Sequence, residues 1–220
     1  LDVDQYQPDT LMFSGKSVLW DTSHGIYLTY SPSGNHSSLV VTLRDNGYWI
    51  YEYSAGILHL DLENYDIIVI SVGSAWDSVY STAEVLALQR YVTNGGGLLL
   101  LGDNTNCPND NVNPVSQAFG TTVGVTHVYP NDTHVTEFSN HVIFSGISDL
   151  FMRSAGEITG TLYASEQAWA DIGDAVVTIF EFESGRVVTL GDIAMLANSY
   201  IGVYDNRDFA VNIFDWLSGS

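Results

Sequence analysis

The sequence predicts an α/β protein with a mainly parallel sheet and helices on both faces. Two runs, "YDIIVISVG" (65–73) and "GLLLLGD" (97–103), are apolar without alternation, as strands covered on both sides must be. Between them "STAEVLALQRYVTNGGG" is long enough to cross from one strand to a parallel neighbour. The order strand, helix, strand, strand, helix, strand then implies right-handed crossovers.

The elements follow in chain order. "SVLWD" (17–21) is a short apolar strand, and "NHSSLVVTLRDN" (35–46) puts Leu39, Val40 and Leu43 on one helical face, with Gly47 as its stop. "YWIYEY" is a second strand. In the long helix Ser81 is the N-cap and Glu84, three residues on, completes a capping box. Val85, Leu88 and Val92 make its apolar stripe, and Gly95 ends it. The middle, Asn104 to Gly160, is the least regular part; it predicts a short helix near Pro114 to Phe119 and one strand near Val123 to Tyr129. "AVVTIFEFESGRVVTLGD" (175–192) reads as a hairpin turning through Glu183-Ser184-Gly185-Arg186. "NRDFAVNIFDWL" (206–217) is an amphipathic helix with Phe209, Ile213, Trp216 and Leu217 inward. The 220 residues show no internal repeat or linker, so residues 1–220 are expected to form one domain, with 1–16 as an N-terminal extension.

The charge balance is 26 acidic residues against 6 Lys plus Arg, a net charge of −20, and Lys16 is the one lysine. A phosphate backbone or an anionic membrane surface would be repelled by that field, which favours cations and basic partners instead. No apolar run approaches the roughly 20 residues of a membrane-spanning helix. Charged residues are 15% of the chain, below the usual share of about 25%, with Ser, Thr, Asn and Tyr in their place. That composition, with acceptor triplets Asn35-His36-Ser37 and Asn131-Asp132-Thr133, points to a secreted or cell-surface location. The sequence reads as a mature or excised piece of a longer protein.

Open parallel sheets bind ligands outside the carboxyl ends of their strands. Three predicted strands end in a carboxylate there: Asp21 after "SVLW", Asp103 after "LLLLG" and Asp192 after "VVTLG". His24 follows Asp21 in the same loop, so Asp21, His24, Asp103 and Asp192 are expected on one rim. Asp is also a common helix cap and turn acceptor, which gives each a structural reading as well. Asp103, Asn106 and Asp110 lie in an oxygen-rich loop of the kind that suits calcium, although their spacing differs from the Asp-x-Asp-x-Asp-Gly loop. His127, His134 and His141, seven apart across Pro130, do not share one helical face and fit loop and strand-edge positions better than zinc ligation. No Gly-x-Ser-x-Gly or phosphate-cradling Gly-x-x-x-x-Gly-Lys motif occurs. Cys107, the one cysteine, sits in the acidic "NTNCPND", without the helix N-terminus or cation that activates a thiolate.

The motifs in sequence, "VLWDTSHG", "YSPSGNHSSLVVTLRDNGY", "LENYDIIVISVGSAWDSVYSTAEVLALQRYVTNGGGLLLLGD", "NHVIFSGISDL" and "GRVVTLGDIAMLANSYIGVYDNRDFAVNIFDWL", resemble the class I glutamine-amidotransferase-like superfamily. The resemblance is to its noncatalytic branch, related to the GIFT-type domains of gliding and intraflagellar-transport proteins and to the ThuA-like group. It implies a flavodoxin-like, doubly wound sheet. It also implies where a catalytic relative would carry its nucleophilic Cys, here Asn104, and its His-x-Glu pair, here Asp192-Ile193-Ala194; neither element is present. Asp21, His24, Asp192 and Asn198 match positions featured in the noncatalytic relatives.

These readings lead to a noncatalytic ligand- or protein-binding module. Its expected ligand-binding residues are Asp21, His24, Asp103, Asn104, Asp192 and Asn198, its partners are other domains, proteins or a carbohydrate, and no cofactor is required unless calcium is bound. The alternative is a hydrolase with His24 as general base, oriented by Asp21 or Asp192. A third reading makes Trp20, Trp49, Trp76, Trp169, Tyr200 and Tyr204 aromatic anchors of an oligomer interface.

Overall fold

The computed structural model describes residues 15–75, 78–127, 132–160, 166–169 and 175–219. Strand β1 (Lys16–Asp21) is followed by helix α1 (Ser37–Asp45) and β2 (Tyr48–Tyr53), then by β3 (Ile67–Ser71), α2 (Thr82–Thr93) and β4 (Gly97–Leu101). All ten residues of β3 and β4 are buried. Their unbroken Ile, Val and Leu runs form strands with no solvent face.

The capping box forms as predicted: the Ser81 hydroxyl accepts from the Glu84 amide, and the Glu84 carboxylate accepts from the Ser81 amide. At the other helix the N-cap is supplied from far along the chain. His36 makes no side-chain cap, and the Asn198 Oδ1 accepts from the Ser38 amide at 2.7 Å.

Beyond β4 come α3 (Asn113–Ala118), β5 (Thr122–His127), β6 (Asp132–Val135), β7 (Glu137–Phe138), β8 (Leu150–Arg153) and β9 (Gly156–Thr159). The sequence expectation of a helix and one strand here is corrected to a helix and five strands. β5 pairs with β9 and β6 with β8 in two antiparallel ribbons. Their strands are short, four to six residues, so no long apolar run marks them. Then β10 (Glu166–Trp169), β11 (Ala175–Phe182), β12 (Gly185–Leu190) and α4 (Asn206–Leu217) complete the chain. The predicted late hairpin is β11–β12, its turn holding Glu183 at φ 53°.

The main sheet runs β2-β1-β3-β4-β12-β11-β10-β7. β2, β1, β3, β4 and β12 are parallel; β11, β10 and β7 extend the sheet antiparallel. This is a flavodoxin-like α/β fold with an antiparallel wing. α1 packs on α4 and α2 on α3, two helix pairs that cover the buried strands. Phe209, Ile213, Trp216 and Leu217 of α4 are all buried, as the periodicity predicts. Trp20 is fully buried in the core and cannot anchor an interface; Trp76 lies outside the described residues, as do Asn131 and the side chain of Trp169. Among the described residues no helix is long and apolar enough to cross a membrane.

Candidate functional site

The parallel register aligns the strand ends. Asp21 pairs with Ile70, Ser71 with Leu101, and Leu101 with Leu190, so the loops after β1, β3, β4 and β12 leave one edge of the sheet. Strand order reverses between β1 and β3, the place where a doubly wound sheet opens a crevice. Here the two loops interlock and fill it. A Cβ on Gly73 would lie 2.2 Å from the His24 carbonyl oxygen and from Asn111 Nδ2, and one on Gly25 (φ +87°) would lie 2.2 Å from Ser74 Oγ.

Asp21 and His24 belong to this plugged crevice. The buried Asp21 carboxylate accepts from Tyr80 Oη at 2.7 Å and from the Ser23 amide and hydroxyl at 3.0 Å. The His24 ring lies against Tyr80, centroids 3.8 Å apart. Its Nδ1 faces the Ser78 carbonyl at 3.2 Å and its Nε2 the Glu84 carboxylate at 3.0 Å. Both ring nitrogens therefore face oxygen partners within the protein, which fix the ring in place. Burial alone would push the Glu84 carboxyl up, but the bonds from Ser81 and His24 outweigh it and hold that carboxyl below its ordinary range. The capping box of α2 thus doubles as the anchor of the His24 loop.

Asp103 and Asp192 form a second cluster. They follow adjacent parallel strands two residues beyond the paired Leu101 and Leu190, about one strand spacing apart. Asp192 is fully buried, its oxygens accepting from the Arg153 amide at 2.6 Å and the Ala194 amide at 2.8 Å. Asp103 is 5% exposed and accepts from both the amide and the side chain of Asn104 at 2.7 Å. Burial raises the Asp103 carboxyl to about 6; burial, then the neighbouring Asp103 charge, raises Asp192 well above the carboxylate range.

Over this acid floor the β1–α1 loop brings Tyr27 and Tyr30. The Tyr27 phenol and the Asp103 carboxyl both lie by the Cys107 thiol, and each group shifts its neighbour's proton affinity: burial and Asp103 raise the thiol, and Cys107 raises the Tyr27 phenol. Tyr30 stacks on His36 at 5.6 Å; burial and the charges of Asp103 and Asp192 raise its phenol, while Arg153 pulls it the other way. His36 is fully buried, bonded through Nε2 to the Ile193 carbonyl, and burial lowers it to about 4, so it is neutral near pH 7.

The rim named in the sequence is thus one edge with two separate polar centres: Asp21 with His24, and Asp103 with Asp192. No described hydrogen bond joins them. Asn104 supports Asp103, whereas Asn198 serves α1 as a cap. Asn106 and Asp110 are exposed while Asp103 is buried, and among the described residues no three of His, Cys, Asp or Glu gather as metal ligands. Tyr27, Tyr30 and Tyr80 are members of the site that sequence reasoning misses, and Cys107 enters it as the unactivated thiol the sequence suggests. Only the position of the two loop tyrosines after a strand end points to them. His134 and His141 lie on β6 and before a 3-10 turn, in agreement with strand-edge and loop positions.

Cys107 is 4% exposed, and burial followed by the Asp103 charge pushes its thiol up to about 12. Near pH 8 its reaction with an aromatic disulfide reagent is expected to be at least about 100-fold slower than in denaturant, because the thiolate is the reactive form. Rapid modification of the native protein would contradict this arrangement.

No family model and no curated protein sequence matches the chain. Among solved structures, the chain is similar to the N-terminal domain of mmIFT52, with 16% identity and TM-score 0.76 over 93% of this chain and 98% of that one. It is also similar to a ThuA-like protein of Parabacteroides merdae, with 11% identity and TM-score 0.53 over 93% and 90% of the two chains. A cold-adapted β-galactosidase of Rahnella sp. R3 contains a similar unit: 13% identity, TM-score 0.59, covering 94% of this chain and 31% of the enzyme. At these identities the likeness is one of fold, the flavodoxin-like α/β sheet described above.

Proposed function

We propose that this chain is a noncatalytic binding module of a secreted or cell-surface protein, and that its ligand sits on the rim where Tyr27 and Tyr30 cover the buried Asp103 and Asp192. One observation carries the reading: the rim gathers phenols and carboxylates from three strand-end loops, yet its thiol lies beside a phenol and a carboxylate that leave it raised, with no imidazole or cation among its described partners to activate it. His24, the base of the hydrolase alternative, has both nitrogens engaged. A carbohydrate is the first ligand class to test, because phenols offer ring faces and hydroxyls together and because a similar unit occurs within a β-galactosidase. Calcium is the cation to include.

The experiment is a glycan array, with and without calcium, comparing the wild type with Tyr30→Ala. Selective binding weakened about 10-fold or more by the substitution is expected. Turnover of ester, amide or glycoside substrates that His24→Ala abolishes would replace this reading with the hydrolase.

A further inference from the structure

The β6–β8 ribbon alternates strictly. Thr133, Val135, Leu150 and Met152 are buried, while Asp132, His134, Phe151 and Arg153 turn outward. Across the ribbon His134 stands opposite Phe151 and Asp132 opposite Arg153. The segment after β12 adds two tyrosines to this outer face. Tyr200 stacks on Phe151 at 5.3 Å, and Tyr204 meets His134 edge-on at 4.8 Å. The result is an aromatic strip, Tyr200, Phe151, His134, Tyr204, on the outside of the protein.

Tyr204 is the unusual member. It is 58% exposed and holds a left-handed backbone, φ 46°, which costs a non-glycine residue on the order of 1 kcal/mol. Its neighbours pin it there. The Asp205 amide donates to the Asp149 carbonyl at 3.1 Å, and the Asp205 carboxylate accepts from the Ser148 amide, the Ser148 hydroxyl and the Asp149 amide at 2.7 to 3.0 Å. Those bonds also hold the Asp205 carboxyl below its ordinary range, so it is an anion. Asp149 accepts from His134 Nδ1 at 3.0 Å. The exposed ring therefore stands beside two fixed carboxylates.

The chain itself shows which chemistry such a surface accepts. The Arg153 guanidinium lies over the Tyr200 ring, 5.7 Å from its centroid, and donates to the Tyr200 hydroxyl. At the other end of the strip an aromatic face again has carboxylates beside it; there Asp149 is paired with the His134 imidazole at 3.0 Å, and among the described cation–ring contacts no arginine or lysine lies on the Tyr204 ring. We propose that the Tyr204–His134 end of this strip, with Asp149 and Asp205, is a docking surface for an arginine-bearing basic segment of a partner protein. A guanidinium there would lie on the Tyr204 ring as Arg153 lies on Tyr200, and the net charge of −20 would draw a basic partner towards it. The strip meets the Asp103–Asp192 rim at its Arg153–Tyr200 end, and the proposal for the Tyr204 end does not depend on what that rim binds.

The test is fluorescence anisotropy with a labelled peptide of alternating arginine and glycine, and its lysine counterpart, at about 150 mM salt. Tyr204→Gly removes the ring while relieving the backbone strain, so loss of fold does not confound it. It is expected to weaken arginine-peptide binding about 3- to 10-fold. Tyr204→Phe should stay within about 2-fold of the wild type, and the lysine peptide should bind more weakly than the arginine one. Asp149→Asn should weaken binding, whereas Glu183→Gln, the same loss of charge on the β11–β12 turn, should not. Equal losses from Asp149→Asn and Glu183→Gln, an unchanged Tyr204→Gly, or no arginine-peptide binding at all would each overturn the proposal.

Discussion

Asp103→Asn is expected to become progressively more stable relative to the wild type as pH rises from about 4.5 to 7.5, by on the order of 2 kcal/mol over that range. The Asp103 carboxyl is raised from 3.8 to about 6 by burial, and each tenfold change in proton affinity is worth about 1.4 kcal/mol. A group whose folded pKa is raised contributes stability that is fully present below the unfolded pKa and is lost as pH rises through the folded value. For Asp103 that window runs from near 4 to just above 6. Asn keeps the shape without the charge, so the variant escapes this loss.

The difference between the two proteins is the informative quantity, because His36 acts oppositely in the same window. Its depressed value, about 4, contributes stability above the unfolded value near 6.5 that is lost as pH falls. This contribution cancels in the comparison. Urea unfolding of both proteins at several pH values measures it, and parallel profiles would show that Asp103 carries no buried charge penalty.

The second large effect concerns the backbone beneath the site. Gly191 precedes Asp192, and a Cβ on it would lie 2.2 Å from the Gly156 carbonyl oxygen. Neither backbone is free to yield: the Gly156 amide donates to the Gly191 carbonyl at 2.7 Å, and the Gly191 amide donates to the Val176 carbonyl at 2.9 Å. Gly156 is itself pressed on the Asp103 carbonyl, 2.3 Å from where its Cβ would be. Gly191→Ala is therefore expected to cost about 3 kcal/mol or more, and to loosen the Arg153 amide from Asp192. Gly146→Ala is the contrast, since its φ is +76° but no atom lies within 4 Å of the added carbon; strain alone should cost about 1 kcal/mol there. Equal denaturation midpoints for Gly191→Ala and the wild type would refute the close approach.

The glycines show one limit of reading this chain as a sequence. Gly95 and Gly47 are legible because a stop after an amphipathic helix is a local event. Gly156 and Gly191 are not, because what demands them is backbone far along the chain, Asp103 for Gly156 and Gly156 for Gly191. The asparagines behave alike. Asn109 reads as part of a polar loop, yet its side chain bonds the Asp103 amide and carbonyl as a strand neighbour would. Asn206 does the same for Phe151. Short ribbons such as β5–β9 and β6–β8 have strands of only four to six residues, too brief for their alternation to stand out in the sequence.

By itself the sequence determined the covered strands, the capped helices, the late hairpin and the ends at which Asp21, Asp103 and Asp192 emerge, because periodicity, burial and capping act over a few residues. Only the tertiary structure decided which polar groups meet: Asp21 with Tyr80, His24 with Glu84, Tyr27 with Cys107, Asp103 with Asp192. Those pairs join segments 59 residues apart or more through strand register and loop packing, and their charge states depend on a burial that no single segment carries.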